Sequence, residues 1–261
     1  MNSGAEPEQN LQLAARLLSD AARDGCVLAV LPENFALMPE RGRDKSRHAE
    51  KPGAGPIQDF ISECAARHRM WIIAGSMPLE SPEPERVYGA CVVADDRGAT
   101  KAIYRKIHLF DVDLPDREES YRESHSMYAG DEPMTVDTPV GRVGLTICYD
   151  LRFPELYRNL VDAGATVFTI PAAFTAVTGA AHWHTLLRAR AIENLAYVIA
   201  PGQVGTHPDN RETYGHSLIV DPWGRILAEQ PSGNCAVMAD IEPGSPEQLR
   251  ESFPALANRR L

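Results

Sequence analysis

The sequence predicts an α/β layered domain with mixed sheets, on three observations. Short apolar runs such as "VLAVLPE" (27–33), "WIIAGS" (71–76) and "VGLTIC" (143–148) read as strands covered on both faces. They alternate with segments whose apolar residues recur at helical spacing. Two stretches, 87–106 and 215–229, read as hairpins and bring antiparallel pairs into the sheets.

The elements follow in order. Residues 7–24 form a helix with Leu11, Ala14, Leu17, Leu18 and Ala21 on one face and Gly25 as its stop. The strand 27–33 comes next. Pro56 opens a helix over 56–68 with Ile57, Phe60, Ile61, Cys64 and Ala65 inward. After the strand 71–76, "VYGACVVADDRGATKAIYRK" (87–106) makes two strands around an Asp-Asp-Arg-Gly turn. The segment 111–139 is polar and irregular, long enough for a functional loop. Then come a strand (143–148), a helix (155–163), a strand (166–170), a helix (182–195) and a strand (197–201). "GHSLIVDPWGRILAE" (215–229) is a hairpin around Pro-Trp-Gly, residues 235–241 are a last strand, and a short helix follows Ser245. No repeat or low-complexity linker interrupts this order, and one domain over 1–261 accounts for it.

Composition narrows the function classes. A formal net charge of −10 argues against nucleic acid or an anionic membrane as partner. No apolar run approaches the roughly 20 residues that span a bilayer, and "MNSGAEPEQN" lacks the basic and apolar regions of a secretory signal. Five widely spaced cysteines, Cys26, Cys64, Cys91, Cys148 and Cys235, form no CxxC pair. They point to a reducing, cytoplasmic setting in which most are small buried hydrophobes. No Gly-rich phosphate loop follows a strand, so no nucleotide cofactor is expected. No metal is expected either. His182 and His184 lie two apart in a helical pattern, about 200° around the axis, so their rings face opposite ways. His108 and His216 stand alone in the sequence and read as structural.

Chemistry in α/β folds gathers at strand ends. Glu33 ends "VLAVLPE", Lys106 ends "AIYRK" and Cys148 ends "VGLTIC". A carboxylate, an ammonium and a thiol can therefore meet at one sheet edge, though each taken singly is equally at home as a loop acid, a surface lysine and a core thiol. Asp150 and Arg152 read as an ion pair locking the turn that exposes Cys148, and Pro154 starts the helix behind it.

Their flanks go further. "LPENF", "YRKIHLFD", "CYDLRFPELYR", "TGAAHWHTLLRARAIEN" and "YGHSLIVDPWG" resemble, in order, the signature segments of the nitrilase (carbon–nitrogen hydrolase) superfamily, over about residues 7–245. The resemblance implies a four-layer α-β-β-α sandwich that pairs into homodimers or larger homo-oligomers. It implies a small-molecule amide substrate, no cofactor, and a catalytic set in which Cys148 is the nucleophile, Glu33 the general base and Lys106 the third member. Tyr149 would lend its backbone N–H to the oxyanion. Glu123, in "YRESHSMYAGDEP", matches a further family glutamate and would orient Lys106 or the substrate; Phe174 and His182 would line the pocket. His184 stands where relatives often carry Glu. The segments from Ala173 to Trp183 and from Ala200 to Ser217 are more similar to the members that hydrolyse deaminated glutathione than to those that take ω-amides such as 2-oxoglutaramate. The latter, N-carbamoyl compounds and a catalytically inactive binding subunit stay open as alternatives. Residues 202–212 are expected at the pocket mouth. Family members open with a strand of the form "xxAAxQM" that is absent here, which predicts that Met1 is an internal methionine of a longer protein.

Overall fold

The computed structural model describes residues 1–40, 42–113 and 120–260. Its first half contains α1 (Pro7–Arg23), β1 (Leu28–Val30), α2 (Pro56–His68), β2 (Trp71–Ile73), β3 (Met77–Glu80), β4 (Val87–Ala94) and β5 (Thr100–Arg105). β1 and β2 pair in parallel. β2 and β3 run antiparallel along one edge of β4, and β5 along the other. A small hairpin follows, β6 (Asp111–Asp113) with β7 (Ser120–Arg122).

The second half contains β8 (Met134–Thr138), β9 (Gly141–Leu145), α3 (Pro154–Asp162), β10 (Val167–Thr169), α4 (Ala176–Asn194) and β11 (Tyr197–Ala200). The hairpin β12 (Val204–Thr206) and β13 (Glu212–Tyr214), then β14 (Ser217–Val220), β15 (Ile226–Gln230) and α5 (Ser245–Ser252) complete it. The second sheet has the order β15-β14-β11-β10-β9-β8, parallel from β9 to β11 and antiparallel outside.

Strand alternation builds the layers. Ile72 and Ala74 point from the first sheet into a core with Leu18 of α1 and Ile57 and Ile61 of α2. Ile73, Val93 and Tyr104 point the other way and join Val143, Leu145 and Val167 of the second sheet in the central core. Leu156 and Leu160 of α3 and Leu187 of α4 close the second sheet's outer face, where Tyr157 meets Phe168 edge-on at 5.0 Å. The result is the expected α-β-β-α sandwich.

Four local expectations are corrected. The α4 helix starts at Ala176, not 182, because the Thr175 hydroxyl caps it by accepting from the Thr178 N–H at 3.4 Å. Gly179 sits inside it because a Cβ there would lie 2.3 Å from the Tyr214 side chain. The stretch 111–139 is not irregular throughout: it carries β6, β7 and β8. Strands β3, β12 and β13 are not expected from the sequence: Pro78 interrupts the strand pattern of the first, and the other two are three residues each with an exposed polar end. Residues 235–241 form no strand. They face Val27–Pro32 across a cavity of about 480 Å³, and among the described residues no strand pairs with them.

Two backbone features place the site. Gly75, φ +43°, brings its backbone against Pro32, whose carbonyl oxygen would lie 1.9 Å from any Cβ; only glycine lets the β2 end pass the loop that carries Glu33. Cys148 itself has φ +48°, a left-handed conformation costly for a side chain with a Cβ and held at the end of β9 by its N–H donating to the Pro171 carbonyl at 2.9 Å.

Candidate active site

Three loops at one edge of the two sheets bring Glu33, Lys106 and Cys148 together, all buried. Lys106 Nζ donates to Glu33 Oε1 at 2.9 Å and to both oxygens of Glu123, at 3.0 and 2.9 Å. Glu33 Oε2 accepts from the Ala173 N–H at 2.8 Å. Glu123 is fixed in turn by the Phe110 N–H, 2.6 Å from its Oε2. The second glutamate thus holds the same ammonium as Glu33.

The charges follow from this packing. Burial pushes the Lys106 ammonium towards neutrality, but the carboxylates of Glu123 and Glu33 outweigh it and hold its pKa well above the lysine range. Burial opposes ionisation of Glu33 too, yet the Lys106 charge wins and keeps it below the usual carboxylate value. Burial, with the Glu33 charge, pushes the Cys148 thiol well up, against the pull of Lys106. The resting set is therefore a neutral thiol beside an ionised carboxylate, with an ammonium behind. That arrangement can transfer the thiol proton to Glu33 as the sulfur attacks.

The turn that presents Cys148 is held differently from expectation. Asp150 makes no pair with Arg152. It is fully buried, accepts from the Tyr104 hydroxyl at 2.7 Å and the Ile147 N–H at 2.9 Å through Oδ2, and meets the His108 N–H (3.0 Å) and Nδ1 (2.7 Å) through Oδ1. His108, read as isolated, stacks on Phe153 at 3.6 Å and ties the Lys106 loop to the Cys148 turn. Asp150→Ala would leave those donors buried without an acceptor. It is expected to cost roughly 3 kcal/mol or more of stability in chemical denaturation, with Asp150→Asn intermediate.

The cavity over these groups measures about 320 Å³. Glu123, Tyr149 and Phe174 line it as expected; His182 does not. It is exposed on α4, and its Nδ1 stands 3.3 Å from an Arg152 Nη. Arg152, freed from Asp150, lies over the rings of Phe174 (5.0 Å) and Tyr149 (5.8 Å) and faces the cavity. The Tyr149 N–H, in the first turn after Cys148, is a donor that a short helix leaves without an internal partner. Asp209 and Arg211, from the expected mouth segment 202–212, line the cavity. Sequence reasoning missed Lys45, whose Nζ donates to Asn34 Oδ1 at 3.0 Å from a turn with no apolar pattern to mark it.

Residues 1–251 match the carbon–nitrogen hydrolase family. The chain belongs to that family. This carbon–nitrogen hydrolase is 42% identical to the deaminated glutathione amidase of Yersinia enterocolitica, over 99% of its own length and 90% of the relative's. It is 41% identical to the protein of the same name from Synechocystis, over 99% and 95%. The crystal structure of the Caenorhabditis elegans NitFhit protein superposes with a TM-score of 0.91 at 37% identity, covering 100% of this chain and 63% of that one. Nit3 of Saccharomyces cerevisiae, in the nitrilase superfamily, gives 0.87 at 31%, over 100% and 94%. The hydrolase is thus a nitrilase-superfamily amidase, acting on carbon–nitrogen bonds other than peptide bonds. Among its described residues, no helix is long and apolar enough to cross a membrane.

Proposed function

We propose that this amidase hydrolyses deaminated glutathione to 2-oxoglutarate and cysteinylglycine through a thioester on Cys148. The carrying observation is the cavity's charge balance. Lys106 is paired directly with Glu33 and Glu123, Arg211 with Asp209 at 2.9 Å, and Arg122 with Asp113 at 2.8 Å. Lys45 and Arg152 also line the cavity, and among the described residues neither makes a direct ion pair with a carboxylate; Glu123 and Glu33 act on Lys45 only at longer range. Two cations that face the cavity without a direct carboxylate contact, in a chain of net charge −10, suit a substrate with two carboxylates. Deaminated glutathione carries one at its 2-oxo acid end and one at its glycine end. The relatives named for that activity support the same reading.

The proposed chemistry uses Cys148, Glu33, Lys106 and the Tyr149 N–H. Cys148 attacks the amide carbon while Glu33 takes the thiol proton. The developing oxyanion meets the Lys106 ammonium and the Tyr149 N–H. The carbon–nitrogen bond breaks as Glu33 returns that proton to the departing amine, leaving a thioester. Glu33 then draws a proton from water, which attacks the thioester carbon, and the sulfur leaves as the thiol on receiving the proton back.

The test is a panel ranked by kcat/KM. Deaminated glutathione is expected to exceed 2-oxoglutaramate and N-carbamoyl compounds; a preference for either rejects the assignment. Lys45→Met and Arg152→Met should each lower kcat/KM for the dicarboxylate by about 10–100-fold, mainly through KM. Equal losses on an uncharged amide would show that the two cations do not read carboxylates.

A further inference from the structure

Away from the cavity, the fold gathers three side chains that lie far apart in the sequence. His184 stands on α4, His216 on the link between β13 and β14, and Glu229 on β15. His184 Nε2 lies 2.8 Å and His216 Nδ1 2.5 Å from the same oxygen, Glu229 Oε1. The three ligand-type atoms all fall within 4.8 Å of one another.

We propose that His184, His216 and Glu229 form a binding site for a divalent transition metal of the zinc type, which staples α4 to the β14–β15 hairpin. Two imidazoles and one carboxylate are a zinc ligand set; imidazole disfavours calcium and magnesium, which take oxygen. Ligands on a tetrahedral zinc at about 2.0–2.1 Å stand roughly 3.3 Å apart, so shifts of about an ångström or less complete the sphere. The site is half-buried, with side-chain exposures of 32%, 25% and 27%, which shields the ligands and leaves the fourth position to water.

The ligands are held before any ion arrives. The His216 N–H donates to the Pro231 carbonyl at 3.0 Å, and its own carbonyl accepts from Trp183 Nε1 at 2.8 Å. Its ring stacks on Tyr214 at 4.2 Å, and the His184 ring meets that tyrosine edge-on at 6.0 Å. The residue is kept at φ +50°, in the left-handed region, where a side chain other than glycine's needs its surroundings to hold it. Ordering that binding would otherwise require is already present. His182 and His184 have separate surroundings, the first beside Arg152 and the second beside Glu229. The partners of His184 come from another sheet region, which helical spacing cannot reveal.

The experiment uses the full chain carrying Cys148→Ser, because a cavity thiol can itself take zinc. After chelator treatment and dialysis, Zn²⁺ is titrated by calorimetry and Co²⁺ by absorption. One equivalent per chain is expected, with a rise in Tm on adding Zn²⁺. The Co²⁺ form should show visible ligand-field bands and no thiolate-to-metal charge-transfer band. His216→Gln and Glu229→Gln should each weaken Zn²⁺ by at least about tenfold. Absence of saturable binding, a thiolate band pointing to another cysteine, or unchanged affinity in both variants would overturn the site. The Co²⁺ spectrum needs no change in the triad, so a misfolded ligand variant does not decide the outcome.

Discussion

Cys148→Ala is expected to lower kcat for amide hydrolysis by about 10⁴-fold or more while leaving the fold intact. The substitution removes one sulfur from a buried turn whose backbone is fixed by Asp150 and Pro171. It also removes the thiol that the proposed route acylates, so mass spectrometry of the quenched enzyme should find no acyl adduct. Cys235→Ala is the control: that cysteine is exposed and outside the cavity, and its loss should leave kcat unchanged. Activity retained in Cys148→Ala sinks the covalent route. The pH profile checks the proton's destination. Glu33 is held below the ordinary carboxylate value, so kcat/KM should stay level through mildly acidic pH and fall only as Glu33 protonates beneath that range. An acid limb near neutrality would mean another base.

Lys106→Met should show the largest combined loss of stability and activity. It leaves Glu33 and Glu123 without the ammonium that pairs with both. Breaking a buried charge set from one side costs about 3–5 kcal/mol, a Tm drop on the order of 10 °C for a chain of this size. The sign with pH follows from linkage. In the intact protein the depressed pKa of Glu33 contributes stability above its unfolded value, and that contribution is lost as pH falls through the folded value. Without Lys106 the carboxylates resist ionisation, and the folded state prefers the protonated form. The Tm difference between variant and parent should therefore be widest at neutral pH and narrow towards acid. A difference independent of pH would mean that lost packing, not charge, carries the effect.

The site was more legible than its supports. Glu33, Lys106 and Cys148 each end an apolar run, and strand ends are where a layered fold collects polar groups. Glu123 was found by its flanking motif, with no periodicity to mark it. The assigned partner of Asp150 was wrong for a physical reason: adjacency along the chain suggested Arg152, while a buried carboxylate takes whichever donors the fold delivers, here Tyr104, His108 and Ile147. Lys45 and the contact between His184 and Glu229 left no local trace, because both depend on loops and edges that meet only after the sheets form.

The sequence by itself determined the alternation of helices and buried strands, the family, and the three residue types at the sheet edge. These rest on patterns within about ten residues, where hydrophobic period and turn chemistry act. The tertiary structure decided which cations over Cys148 lack a direct carboxylate contact, which acceptor holds the Cys148 turn, and that His184, His216 and Glu229 meet at one point. Charge balance and ligand geometry are sums over groups distant in the chain, and only packing brings those groups within the few ångströms at which they act.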